Sequence, residues 1–311
     1  MPIKISDRSP TIRILETEGI ELIGRKTAAR QDIRPMHVLL LNLMPMKMKT
    51  EVQIARLLSH TPLQVELSLL TTESYQPTTT SSDYMREFYR TISDVRDDWF
   101  DGMIVTGAPV ERMPFEAVDY WAELCHIFAW ARRRVFRRFH LCWGAQAALY
   151  AEYGVPKEAY RDKLFGVFEQ RVLAPRSALL RGFTDSFMAP VSRYTGVPRA
   201  GVEKVAELEI LAESDESGIC LMENSRGDVY MLNHLEYDTE TLHDEYVRDL
   251  RAEKTISPPK NYFENDDVTR QAVNRWRPYG YLLFSNWMYQ LYEDVPYDLR
   301  DLPRANGVDR R

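Results

Sequence analysis

The sequence predicts an α/β protein built on a doubly wound, mostly parallel sheet flanked by helices. Three observations lead there. Continuous apolar runs of strand length recur along the first half, stretches of helical spacing lie between them, and one strand runs straight into a tight turn and a small-residue helix. The chain has 311 residues, 44 % hydrophobic and 28 % charged, a folded composition that excludes wholesale disorder.

Taken in order, residues 1–35 form an N-terminal extension that mixes charged and apolar residues and ends in the turn-like Asp32-Ile33-Arg34-Pro35. His37–Met44 (HVLLLNLM), bounded by Pro45, suits a strand buried on both faces. Thr50–His60 carries Val52, Ile54, Ala55, Leu57 and Leu58 at spacing that suits a helix, Leu63–Leu70 is the next strand, and Pro77–Asp83 (PTTTSSD) reads as a loop. Gly102–Thr106 is a short apolar run closed by Gly107-Ala108-Pro109. Ala117–Arg133 is helical, and Val135–Leu141 is a strand that leads into Cys142. The second half reads as strands at Phe165–Leu173, Ser186–Ser192, Val205–Ser214, Gly218–Glu223 and Val229–Asn233 joined by short turns. Helices over Glu240–Ala252 and Asp267–Tyr292 follow. The aromatic run Trp276–Tyr292 is a core or dimer-packing helix, broken near Pro278 and Gly280, which leaves a homodimer open. Residues 36–293 thus make one domain, and the polar stretch 294–311 is expected to be a loose tail.

Composition narrows the function classes. With 40 Lys+Arg against 46 Asp+Glu the net charge is −6, which argues against nucleic acid as a partner. No apolar run approaches the ~18 residues of a membrane span, and charges stand where a signal peptide needs its apolar stretch. A cytoplasmic protein is expected. The three cysteines, Cys125, Cys142 and Cys220, are too scattered for a disulfide frame, and no cluster has metal-ligand spacing. No metal or cofactor is therefore expected.

Two segments carry chemistry. In Val135–Leu149 (VFRRFHLCWGAQAAL) Cys142 ends the strand, Gly144 follows, and Ala145, Ala147 and Ala148 open a helix. That is the layout of a nucleophile elbow, with a thiol at a helix N-terminus whose dipole favours the thiolate. His140 stands where the usual elbow has glycine, and is read as structural. The second segment, VYMLNHLEYD, spaces His234 and Glu236 two apart at a strand end, so that alternation turns both to one face. A base and its orienting carboxylate would complete a Cys-His-Glu triad. A buried structural cysteine and a half-buried histidine are the competing readings.

Five motifs in order, LNLMPMKMKTE, VTGAPVE, HLCWGAQAAL, KLFGVFEQ and NHLEYD, resemble those of the homoserine O-acyltransferase family of methionine biosynthesis. The resemblance runs from the start of the chain to about Tyr292 and implies a fold similar to class I glutamine amidotransferases. It implies that Cys142 takes an acyl group from acyl-CoA, that His234 is the base and that Glu236 orients it. It brings Lys47 to the oxyanion, for which the Trp143 amide, following the nucleophile at a helix start, is another candidate donor, and Lys163, Ser192 and Arg248 to the substrate. Glu111, and with it Ser192, is implied to govern the acyl donor, because a carboxylate there repels and crowds out a succinyl group. The implied partners are L-homoserine and acetyl-CoA as co-substrate, giving O-acetyl-L-homoserine. A succinyl-CoA user and an amidotransferase-like hydrolase are the alternatives. The basic cluster Arg132, Arg133, Arg134, Arg137 and Arg138 is read as a solvated helix end, with contact to CoA phosphates as the other option.

Overall fold

The structure is a computed structural model that describes residues 3–4, 8–18, 34–75 and 79–302. Among the described residues, eleven strands form one sheet: β1 (Ile3–Lys4), β2 (Met36–Leu41), β3 (Val65–Leu70), β4 (Tyr89–Arg90), β5 (Phe100–Val105), β6 (Val135–Leu141), β7 (Glu158–Val172), β8 (Ser186–Gly196), β9 (Leu208–Ser214), β10 (Gly218–Asn224) and β11 (Val229–Met231). Their order is β1-β3-β2-β5-β6-β11-β10-β9-β7-β8, with β4 beside β3. The pairings from β1 through β6 to β11 are parallel, and those from β11 through β10, β9 and β7 to β8 are antiparallel.

Apolar runs become the central strands because helices cover them on both faces. Val38, Leu39, Leu40 and Leu41 are all fully buried, as are Met103, Ile104 and Val105. One face packs on the helices Lys47–Leu58 and Arg277–Asp294, the other on Trp121–Arg134 and Trp143–Tyr153. The aromatic helix expected to start near Asp267 starts at Arg277, and Pro278 sits in its first turn, where a missing N–H costs nothing. It is a core helix. Phe284 stacks on Phe139 at 4.8 Å, and Trp287 meets the same ring edge-on at 5.5 Å.

Further differences have local causes. β7 starts at Glu158 rather than Phe165, since its first residues alternate too weakly to be read but still pair with Thr195 and Gly196 of β8. Thr11–Thr17 and Ser82–Phe88 are helices; the second is capped by the Ser81 hydroxyl, inside the stretch expected to be loop. Other residues of that stretch, and most of 1–35, lie outside the described residues. In the expected tail, Leu299–Asp301 forms a 3₁₀ turn and Leu302 is fully buried; the positions beyond it are also outside the described residues. The basic cluster divides. Arg138 is buried, with Asp228 at 2.6 Å and Glu152 beside it, and Arg137 pairs with Asp294 at 2.7 Å. These two arginines tie β6 to two helices and to the turn before β11, and are not part of a solvated helix end.

Registers fix where a ligand can sit. Leu41 pairs with Val105, Val105 with His140, and Leu141 with Met231. The carboxyl ends of β2, β5, β6 and β11 therefore lie level, and the loops leaving them meet at one edge, where open α/β sheets bind ligands.

Gly144 lets the helix after β6 come this close. A Cβ there would lie 2.5 Å from the Thr106 carbonyl oxygen and 3.0 Å from that of Val105. Backbone cannot yield as a side chain can, so Gly144→Ala should cost about 1–3 kcal/mol. Gly201→Ala, where the nearest atom is a Val155 methyl at 3.3 Å, should be far milder. Urea unfolding of the two variants checks this, and similar stabilities would refute the assigned contact.

Candidate active site

Cys142 is the hinge between β6 and the helix Trp143–Tyr153. Its backbone adopts φ 48° and ψ −117°, outside the regions a side-chain-bearing residue prefers. The turn presents a partly exposed thiol at the helix start, and its N–H is fixed by the Met231 carbonyl at 2.7 Å. Gly107, from the loop after β5, lies against it: a Cβ there would be 3.3 Å from that of Cys142 and 3.7 Å from the Trp143 nitrogen. The elbow expected from the sequence is present, with the strain carried by the cysteine itself. His140, two residues earlier, is fully buried and stacked on Tyr230 at 5.0 Å. Burial and the Arg138 charge push its pKa down to about 4, so it is a neutral packing residue.

His234 and Glu236 do meet, by a different route from the one expected. β11 ends at Met231, and both residues lie in the turn beyond it. His234 Nδ1 and Glu236 Oε1 are 2.6 Å apart, and the His234 N–H donates to the Pro190 carbonyl at 2.9 Å. A close approach of the helix Arg277–Asp294 holds this turn: a Cβ on Gly280 would lie 2.5 Å from the Leu235 carbonyl oxygen. Nε2 makes no hydrogen bond of good geometry, yet the Cys142 side chain is close enough to interact with it. Burial works against the imidazolium, but the fields of Cys142 and Glu236 outweigh it and hold the His234 pKa well above its ordinary value.

The cleft beside the triad has a volume of about 290 Å³. The loop Gly107–Met113 makes one wall, and Lys163, Ser192, Tyr194, Tyr237, Glu245, Arg248 and Asp249 contribute the other. Of the residues expected here, Glu111, Cys142, Trp143, Lys163, Ser192, His234 and Arg248 all line it. Glu236 stands behind His234. Glu111 is turned inward, accepting the Tyr194 N–H at 2.8 Å with the Thr195 hydroxyl at 3.3 Å. Burial raises its pKa, against the Tyr194 N–H, the Thr195 hydroxyl and the Lys163 charge, which lower it.

Lys47 is the exception. It lines a neighbouring pocket that shares Met44, Pro109, Val110 and Met113 with the cleft, and its ammonium donates to the Asn42 carbonyl. Burial, partly offset by Glu51, lowers its pKa to about 8.

Sequence reasoning missed Glu245, Asp249 and Tyr237. Lys163 Nζ lies 3.2 Å from both Glu245 Oε2 and Asp249 Oδ2, and Ser192 donates to Glu245 Oε2. Arg248 Nε and Lys254 Nζ hold the buried Asp249 at 3.1 and 3.0 Å. The missed signal was helical spacing, since Glu245, Arg248 and Asp249 fall at i, i+3 and i+4 on one face.

The paired charges give a pH test. Histidine NMR of the intact protein should find His234 protonated at pH 7. In Cys142→Ala, which removes one of the two side chains that raise its pKa, it should lose its proton at a lower pH. An unchanged titration would refute the coupling.

Comparison with known proteins bears on the family and the fold. A family model described as homoserine O-succinyltransferase matches residues 2–297. A protein of Allorhizobium ampelinum named homoserine O-acetyltransferase is 48 % identical, over 99 % of this chain and 100 % of its own length. One of the same name from Streptococcus mutans is 46 % identical, over 98 % of each chain. Among solved structures, a glutamine amidotransferase of Thermotoga maritima shares the fold at TM-score 0.56 and 11 % identity, over 84 % of this chain and 100 % of that one. A glutamine amidotransferase from Methylobacillus flagellatus does so at 0.51 and 10 %, over 83 % and 95 %. The expected class I glutamine amidotransferase-like fold is borne out, and on the family match and these identities the chain belongs to the homoserine O-succinyltransferase family.

Proposed function

We propose that this protein transfers an acetyl group from acetyl-CoA to the hydroxyl of L-homoserine, through a thioester on Cys142. The observation that carries the reading is the shared cleft. The Cys142–His234–Glu236 set opens onto a wall of paired charges suited to a small zwitterion, and Glu111 faces the same space. The name of the relatives, homoserine O-acetyltransferase, supports the donor and acceptor.

The chemistry follows from the resting charges. The Cys142 thiolate attacks the thioester carbonyl, the carbon–sulfur bond to CoA breaks, and His234 gives its proton to the departing CoA sulfur. Neutral His234 then takes the homoserine hydroxyl proton while that oxygen attacks the acyl carbon, and the Cys142 thiolate leaves. The two steps sum to acetyl-CoA plus homoserine giving O-acetylhomoserine plus CoA. The Trp143 amide at the helix start and the Gly107–Ala108 turn, which line the cleft beside Cys142, are the candidate donors to the oxyanion. Lys47 adds positive field from behind Met44 and Val110, which line both pockets.

Homoserine is held by its charged ends. Arg248 faces the substrate carboxylate. Glu245 already accepts from Ser192, Lys163 and Tyr237, which leaves one carboxylate lone pair of about four for the ammonium.

Incubation with homoserine and either CoA ester, followed by mass analysis of the product, tests the reading. O-acetylhomoserine is expected from acetyl-CoA, with kcat/KM well above that for succinyl-CoA. Glu111→Gly removes both charge and bulk and should move this ratio toward succinyl-CoA by at least about tenfold. Because burial raises the Glu111 pKa, its charge is lost sooner in acid, and the wild-type preference should narrow as pH falls. An unchanged ratio in the variant, or a wild type that prefers succinyl-CoA, would overturn the donor assignment.

A further inference from the structure

Tyr237 touches both functional halves of the cleft. Its ring stacks on the His234 imidazole, with centroids 4.1 Å apart and planes 15° from parallel. Its hydroxyl donates to Glu245 Oε1 at 3.0 Å, while Ser192 and Lys163 occupy the other oxygen of that carboxylate. Its carbonyl accepts the indole N–H of the fully buried Trp276 at 2.8 Å, so the residue is anchored at its backbone as well. Burial and the nearby Glu245 keep the phenol protonated and therefore a donor.

We propose that Tyr237 is a positioning residue that links the acceptor subsite to the general base. The proposal rests on the acyl-transfer reading above and adds to it a residue with two separable duties. The hydroxyl holds the Glu245 carboxylate in the rotamer that meets an incoming ammonium. The ring holds the imidazole plane in which Nε2 points at Cys142 and the acceptor hydroxyl. Glu236 fixes the imidazole at Nδ1 only, which leaves rotation about that bond to be limited by what packs on the ring face. Tyr237 supplies that face.

The two duties respond to different substitutions. Tyr237→Phe keeps the stack and removes the donor, and a hydrogen bond to a charged group is worth roughly tenfold or more in binding. Homoserine KM should rise about tenfold, while the rate of Cys142 acetylation by acetyl-CoA alone stays within about twofold. Tyr237→Leu removes the ring too. It should also slow acetylation and shift the pH profile of that half-reaction, which a purely structural role would not do. A double-mutant cycle of Tyr237→Phe with Glu245→Gln should show the two KM effects to be non-additive.

Steady-state and half-reaction kinetics on the full chain, with thermal melts of each variant, decide the matter. Tyr237→Phe with unchanged homoserine KM, or with both half-reactions damaged in step with lost thermal stability, would overturn the proposal. If Tyr237→Phe does not fold, Glu245→Gln, which weakens the same hydrogen bond from the other side, takes its place, and an unchanged homoserine KM there would overturn the proposal as well. A wild type that forms neither acetyl-Cys142 nor O-acetylhomoserine would remove the functional reading itself, a result distinct from either of these.

Discussion

Cys142 sits at φ 48° between β6 and the helix it begins, a conformation that costs a residue with a side chain about 1–3 kcal/mol. The surroundings over-determine it. Gly144 admits the helix against the Val105 and Thr106 carbonyls, Gly107 brings the β5 loop onto the cysteine, and the Met231 carbonyl takes its N–H. Two neighbouring strands, β5 and β11, thus fix one torsion. In return the thiol stands at the head of a helix, at the level where the loops after β2, β5, β6 and β11 meet. Relaxing that turn would swing the sulfur away from His234 and from the backbone amides together.

The rest of the site is arranged around charge. The Cys142 and Glu236 side chains raise the His234 pKa against a burial that alone would lower it. Across the cleft, Lys163 bridges Glu245 and Asp249, and Asp249 gathers Arg248 and Lys254. A zwitterion entering this wall exchanges existing partners for its own carboxylate and ammonium. Glu111 lines the same cleft, its pKa raised by burial. In the proposed function such a group selects by exclusion: a second carboxylate would meet repulsion and a lack of room, and an acetyl group neither.

Much of this was legible in the residues, for physical reasons that can be named. Strands buried on both faces read as unbroken apolar runs, so β2, β5 and β6 could be placed, and with them the elbow at Cys142. The antiparallel half was harder, since β7 begins in a polar stretch that pairs only with β8. His234 and Glu236 were correctly paired, but through strand alternation, whereas a turn past the end of β11 brings them together. The close approach of Gly280 to Leu235 that holds this turn leaves no periodic trace. Glu245 and Asp249 were missed because a charged helix face usually reads as solvated, and only the fold shows that this face lines the cleft. Lys47 was expected at the oxyanion, yet its ammonium turns to the Asn42 carbonyl in the adjoining pocket.

The central claim is that acyl transfer passes through Cys142, and the most direct test omits the acceptor. Mixing the protein with acetyl-CoA alone should release one CoA per chain in a burst that then stops, leaving a single acetyl group on the Cys142 peptide by mass spectrometry. Adding homoserine should discharge it. Release of CoA only once homoserine is present, or an adduct on Cys125 or Cys220 in place of Cys142, would contradict the account.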